Sequence, residues 1–417
     1  MAVPTIPTVE EHWTCDVLIV GAGPAGTAAA IEAARRGLNA VIIDKARFPR
    51  DKCCGDGLTA GALRHLEEIG LDPNVLPSWV TVADVHLRSP SGRKVSLPLP
   101  RGQGTYAAVC RRRELDGALV DLARRQGVTV LEGHELRGVS SSHEGVVAEV
   151  DGIKFSCSYL IAADGMWSPT RKLLGIATDN YRGEWHAFRQ YFTSVSAQAS
   201  SQLVVWFEPD LLPGYAWSFP LGDGAANVGF GIQRGQGQSV QAMGKLWPEL
   251  LKRDHIANFL GPDACPESPH RAWPIPAKLG RGPLTKNRVL FAGDAAMATD
   301  PMTGEGIGQA LMTGRAAVHA IVEAGCEDPQ EAALHYRRAL RRELMHDHLL
   351  ARWLSAAMGR RSVTTAAVAL VDTNDWTRRN FARWLFEDYP RALAFTPRRW
   401  HREMFGAPGA FNRTMAN

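Results

Sequence analysis

Apolar and polar positions near the N-terminus follow a strand, turn, helix, strand order. DVLIV (16–20) is an apolar run behind one acid, the pattern of a strand buried on both faces. GAGPAGTAAAIEAARRG follows as a glycine turn and an alanine-rich helix stopped at Gly37. LNAVIID then returns as a second buried strand. Residues 59–70 read as a helix ending at Gly70. From Val80 to about Cys110, short strand-like pieces alternate with Pro and Gly breaks. ELDGALVDLARRQG carries apolar residues at 115, 118, 119 and 122, a helical spacing. VTVLEG, GVVAEV and SCSYLIAADG are strands, the last leading back to the first sheet. Residues 185–235 are β-rich, with YFTSV, QLVVWFEP, YAWSFPLG and AANVGFGI. RVLFAGDAA is another buried strand with a glycine exit, and GEGIGQALMTGRAAVHAIVEAG is a long helix. From about residue 330 helical periodicity runs to the end.

This order predicts an α/β protein with a single Rossmann-type nucleotide-binding domain, discontinuous over 1–80, 105–180 and 285–330. A β-rich substrate-binding insertion takes 81–104 and 181–284, and a helical C-terminal region takes 331–417.

In VLIVGAGPAG, Gly21, Gly23 and Gly26 stand between a strand and a helix. Gly21 allows the tight turn, Gly23 lets the backbone approach a pyrophosphate, and Gly26 lets helix and strand pack closely. Ala25 belongs to the same turn, where the helix N-terminus faces the phosphates with partial positive charge. Asp44 ends the second strand, where a carboxylate accepts hydrogen bonds from ribose hydroxyls, and Lys45 follows it. Asp164 and Gly165 follow a later strand. Gly293 and Asp294 follow another, ahead of Pro301, Gly304, Glu305, Gly306 and Ile307 at the start of a helix. A carboxylate after that strand can bind a ribityl chain or a pyrophosphate through water. Helix-start N–H groups can meet a ring edge where negative charge collects on reduction.

Charge and cysteine usage narrow the classes. The net charge of +4 predicts no nucleic-acid partner. Residues 337–402 hold fourteen Arg, no Lys and six acids, a local +8. Seven scattered cysteines contain no C-x-x-C pair, so no metal site is expected. Neighbouring Cys53 and Cys54 would bridge only with strain. MAVPTIPTVEEHW lacks a basic region followed by an apolar stretch, and the longest apolar run, near Ala366 to Val371, is too short to span a bilayer. A reduced, cytoplasmic setting is the expectation. His346 and His348 lack a metal arrangement and read as surface residues.

The set G-A-G-P-A-G, A-D-G-x-x-S and G-D-A-A…P-x-x-G-E-G-I resembles the single-Rossmann FAD enzymes of the para-hydroxybenzoate hydroxylase type, in the family's order over 16–315. The resemblance implies FAD as cofactor and implies that Arg112, in RRRELD, touches it. FPRDKCCGDGL and GYAWSFPLGDGAANVGFGI narrow this further. They resemble the geranylgeranyl reductase family, which saturates C=C bonds of isoprenoids. That likeness implies that Tyr215, Trp217, Phe219 and Pro220 line a substrate cavity and that Cys54-Gly55 lies close to the flavin ring. NDWTRRNFARWLFEDYPRAL resembles the family's bacterial members less specifically.

Saturating a C=C bond needs a hydride and a proton; reduced flavin supplies the first and a nearby acid the second. Cys54 is either that acid or a residue shaping the flavin site, and Cys53 is expected to be structural. The cofactor set is Gly21, Gly23, Ala25, Gly26, Asp44, Lys45, Cys54, Gly55, Arg112, Asp164, Gly165, Asp294, Pro301, Gly304, Gly306 and Ile307. Arg189, Gln190 and Tyr191, on a strand expected beside YAWSFP, are further pocket candidates. With no second glycine–helix unit, electrons come from transient NAD(P)H, a separate flavin reductase or a ferredoxin-like protein. Phe381, Trp384, Leu385 and Tyr389 share one helical spacing. Their face either caps the pocket, the favoured reading, or docks peripherally on an anionic membrane. The competing functions are a monooxygenase (hydroxylase or epoxidase) or halogenase on the same fold, and a non-enzymatic FAD-stabilised binding protein. A halogenase would need a dedicated lysine, and Lys52 stands in no matching motif.

Overall fold

The computed structural model describes residues 12–177, 180–235, 239–400 and 407–412. In chain order, β1 (His12–Val20), α1 (Pro24–Arg35) and β2 (Ala40–Asp44) open the fold. Then follow β3 (Gly57–Thr59), α2 (Ala60–Ile69), β4 (Val80–Thr81), β5 (Asp84–Arg88), β6 (Lys94–Pro98) and β7 (Ala107–Val109). Next come α3 (Arg112–Arg125), β8 (Thr129–Glu132), β9 (Leu136–Ser141), β10 (Val146–Val150), β11 (Ile153–Ala162) and α4 (Pro169–Leu173). A second β-rich stretch holds β12 (Trp185–Thr193), β13 (Leu203–Trp206), β14 (Tyr215–Gly222) and β15 (Ala225–Gln233). After α5 (Met243–Leu251) and α6 (Asp254–Leu260) come β16 (Cys265–Pro266), β17 (Arg271–Ile275), β18 (Thr285–Lys286) and β19 (Val289–Phe291). Helices α7 (Ile307–Ala324), α8 (Pro329–Leu340), α9 (His346–Met358), α10 (Arg361–Val371) and α11 (Asp375–Leu385) complete it.

The first sheet runs β18-β19-β11-β1-β2-β8, parallel from β19 to β8, with the β9–β10 hairpin on β11. The central strands are buried on both faces: Val17, Leu18, Ile19 and Ile42, Ile43 are fully enclosed. That is why their sequences lack alternation. Helices α1 and α7 cover one face, and Gly314 lets them touch: a Cβ there would lie 2.0 Å from the Ala25 carbonyl oxygen. The second sheet runs β16-β12-β15-β14-β13-β5-β6, with β17 also on β12. It is antiparallel except where β13 meets β5. A small sheet, β3-β7-β4, is separate from both.

Two expectations for the C-terminal region change. Tyr389 does not continue the helical face of Phe381, Trp384 and Leu385, because α11 stops at Leu385 and Glu387 takes a left-handed φ of 55°. His348 is buried rather than on the surface, since its side of α9 turns inward, while His346 is exposed. Among the described residues no helix is long and apolar enough to cross a membrane.

Candidate functional site

A cavity of about 1030 Å³ is bounded by the β1–α1 turn, the ends of β2, β11 and β19, loop 50–57, the start of α7, strands of the second sheet, and α9–α11. At its first end the backbone bends at Gly21 with φ 102°, and a Cβ there would lie 2.4 Å from the Ala163 carbonyl oxygen. Gly23 and Ala25 face the cavity. Gly26 does not, because it packs on the turn; a Cβ there would meet the Gly21 oxygen at 1.8 Å. Asp44 and Lys45 are on the wall, and the Asp44 carboxylate takes the Ala22 and Ala46 N–H groups, each at 2.8 Å. It therefore shapes the turn as well as facing the cavity.

Asp164 and Gly165 form the next stretch of wall. Asp164 Oδ2 accepts the Thr170 N–H at 2.9 Å, while its buried Oδ1 has no partner among the described residues. Burial pushes this carboxyl above its ordinary value. Asp294 accepts Lys52 Nζ at 2.9 Å and the Thr299 hydroxyl at 3.1 Å. Burial raises Asp294, but the lysine and the hydroxyl outweigh it and hold the carboxyl below the usual range. Gly304, Gly306 and Ile307 line the cavity; Pro301 lies behind it, its carbonyl taken by Trp185 Nε1 at 2.9 Å. The helix-start N–H groups of Ile307 and Gly308 donate to Glu305 Oε1 at 3.0 and 2.9 Å. The sequence directs those groups at a ring edge; here Glu305's own side chain caps them. Burial and Glu387 push the Glu305 carboxyl up to about 8.

Loop 51–57 carries the paired cysteines. Cys54 and Gly55 face the cavity, and Cys53 lines it too, with Sγ 3.5 Å from the Arg271 carbonyl oxygen. The Asp56 N–H donates to Cys54 Sγ at 3.3 Å. Burial pushes the Cys54 thiol up, opposed by Arg112 and that N–H. Arg112 lines the cavity and is pinned by a bidentate pair with Asp116, both contacts at 2.8 Å. Asp56 is fully buried and takes the Tyr191 hydroxyl at 2.7 Å and Asn227 Nδ2 at 2.8 Å. Sequence reasoning missed Asp56 and Asn227 as parts of the site. The signal for Asp56 was its place between Gly55 and Gly57.

Tyr215, Trp217 and Phe219 project into the cavity from one face of β14. Trp217 Nε1 donates to Asn227 Oδ1 at 3.1 Å, and the Trp217 and Phe219 ring centroids are 6.1 Å apart. Pro220 is a correction: strand alternation turns it to the opposite face, away from the cavity. Arg189 and Tyr191 are corrections as well. They share the β12 face of Trp185 and Ala187, which do line the cavity, but loop 51–57 lies across them. Arg189, 1 % exposed, donates to Asp51 Oδ1 at 2.8 Å and to the Lys52 carbonyl at 3.1 Å. Gln190 is also off the cavity, bonded to Trp247 and the Ser268 carbonyl. Phe381, Trp384 and Leu385 of α11 line the cavity.

Residues 14–336 match the family model of the FAD-binding domain. The protein is 34% identical over 336 residues to the menaquinone reductase of Mycolicibacterium smegmatis, covering 76% of this protein and 78% of the relative. It is 31% identical over 335 residues to digeranylgeranylglycerophospholipid reductase 1 of Methanopyrus kandleri, covering 76% of this protein and 83% of the relative. A solved geranylgeranyl bacteriochlorophyll reductase-like protein from Thermoplasma acidophilum shares the fold, with TM-score 0.78 and 22% identity. The match covers 93% of this protein and 100% of that one.

Proposed function

This protein belongs to the FAD-binding domain family and, within it, to the geranylgeranyl reductase branch of FAD-dependent oxidoreductases, and on that premise we propose that it reduces C=C bonds of an apolar isoprenoid or prenylated substrate such as a polyprenyl quinone. The observation that carries this reading is the continuous cavity joining the glycine turn, the Cys54 thiol and the aromatic face of β14.

The wall residues fit FAD. Gly21, Gly23 and Ala25 would offer a backbone turn to a pyrophosphate, Asp44 and Lys45 would border a ribose, and Asp164, on the same wall, keeps a buried Oδ1 with no partner among the described residues. Gly55, Arg112, Gly165, Asp294, Gly304, Gly306 and Ile307 complete the proposed contacts. FAD supplies a hydride once reduced. The protein's own part is to hold an apolar tail against Tyr215, Trp217 and Phe219, to exclude water with the apolar wall of α9–α11, and to keep a proton on Cys54 Sγ. Burial favours the thiol there. In a single-turnover assay with reduced enzyme, Cys54→Ser is expected to slow substrate-dependent flavin oxidation about a hundredfold. An unchanged rate rejects the acid role.

The electron donor is a pyridine dinucleotide or a reduced redox protein. A peripheral membrane contact is part of the same reading. Trp353 (78 % exposed), Leu370 (69 %) and Trp376 (72 %) point outward from the three helices whose inward residues wall the cavity. Residues 337–402 carry the local +8 that suits an anionic surface. An anaerobic assay with a polyprenyl quinone separates reduction from the oxygenase alternative, which needs O₂.

A further inference from the structure

A second cavity of about 900 Å³ adjoins the first, and Met166, Trp167, Lys172, Pro274 and Asp294 belong to both walls. Its own wall is cationic: Arg171, Lys172, Arg182 and Arg234 border it. Among the described residues, none of these four forms an ion pair with a carboxylate. Arg171 is 6 % exposed, stacks over the Phe291 ring, and gives Nε to the Ala295 carbonyl at 2.7 Å and one terminal nitrogen to the Pro283 carbonyl at 2.9 Å; its other terminal nitrogen has no hydrogen-bond partner among the described residues. Arg234 is spent on the Arg182 carbonyl at 2.8 Å and on His186 Nδ1 at 2.7 Å. Neither set of bonds cancels the charge.

Among the described residues of this wall, the four cations face one acid, Asp294. Asp294, on the shared wall, is paired with Lys52. Asp164 attracts Arg171 through space without forming an ion pair with it, and Glu184 takes the Tyr181 hydroxyl and the Ala277 N–H. Burial and Arg234 push His186 down to about 4, so that ring is neutral and adds no charge to the wall. A concave, cationic cleft with one exposed indole, Trp167 at 44 %, suits a small polyanion carrying an aromatic ring. A protein partner would instead need a broad, flatter patch.

Resting on the redox function above, we propose that this cleft binds the phosphate-bearing end of a pyridine dinucleotide electron donor, with the other end reaching the first cavity past Trp167 and Asp294. A 2′-phosphate adds about −1.5 to −2 charge, so the phosphorylated dinucleotide binds more tightly.

The test titrates FAD-loaded, oxidised enzyme with NADP⁺ and NAD⁺ by calorimetry, in wild type and in Arg182→Gln and Arg234→Gln, which border the second cavity alone. NADP⁺ binding is expected to weaken about tenfold in each variant, and NAD⁺ binding less, with FAD content and melting temperature as in wild type. Unchanged affinity in both variants overturns the proposal. So does pyrophosphate binding as tightly as NADP⁺, or the absence of dinucleotide binding in an enzyme that a reduced ferredoxin-like protein reduces. Substrate reduction by dithionite-reduced wild type tests the function separately, so the two failures are distinguishable.

Discussion

The backbone N–H of Asp56 donates to the Cys54 sulfur at 3.3 Å, while the Asp56 carboxylate, fully buried, collects the Tyr191 hydroxyl and the Asn227 amide. Asn227 also donates to the Cys54 carbonyl at 2.9 Å and accepts from Trp217 Nε1. The thiol and the aromatic wall are therefore set by one polar hub. A buried hub of this kind is costly when half satisfied.

Asn227→Ala removes three side-chain hydrogen bonds at once and leaves the Trp217 N–H without its acceptor. Chemical denaturation is expected to show a loss of about 3 kcal/mol. A loss below about 1 kcal/mol would mean that the hub does not hold the loop to β14 and β15.

Asp56 titrates in a window that sets its own stability signature. Burial first, against the opposing Arg189 charge, pushes its carboxyl up to about 6. The folded protein thus binds this proton more tightly than the unfolded one. Its contribution is complete below about pH 4 and is lost as pH rises through about 6. Asp56→Asn does not titrate. The stability of wild type relative to the variant is expected to fall by on the order of 3 kcal/mol across that window and to stay level above about pH 7. Paired denaturation curves from pH 4 to 8 measure it, and a constant difference contradicts it.

Gly314→Ala would set a methyl 2.0 Å from the Ala25 carbonyl oxygen. Backbone cannot yield as a side chain does, so α1 and α7 must separate, at about 3 kcal/mol and with loss of bound FAD. Gly244 in α5 is the control: nothing lies within 4 Å of its would-be Cβ. Gly244→Ala is expected to stabilise the protein by about 0.5–1 kcal/mol. Equal melting shifts in the two variants would reject the steric argument.

The fold class was legible because buried parallel strands and glycine turns leave little sequence freedom. Gly21 needs its positive φ and Gly26 its missing methyl, and both needs show as glycine in a fixed order. Gly314 was missed because a glycine inside a long helical pattern does not say what it faces. The family likeness grouped Pro220 with Tyr215, Trp217 and Phe219, whereas period two along β14 turns Pro220 to the other face. Periodicity could not show that loop 51–57 crosses β12 and takes Arg189 and Tyr191 off the cavity wall. That contact joins residues far apart in sequence. The end of α11 was hidden for a local reason: a left-handed Glu387 carries no glycine to announce it.

Anaerobic turnover tests the reductase reading most directly. Enzyme reduced with dithionite is mixed with a polyprenyl quinone without oxygen, following flavin reoxidation by absorbance and product by mass spectrometry. Stoichiometric reoxidation is expected, with a product that has gained two hydrogens across a C=C bond of the prenyl tail. Turnover that strictly requires O₂ and adds an oxygen atom to the product would contradict the reductase assignment.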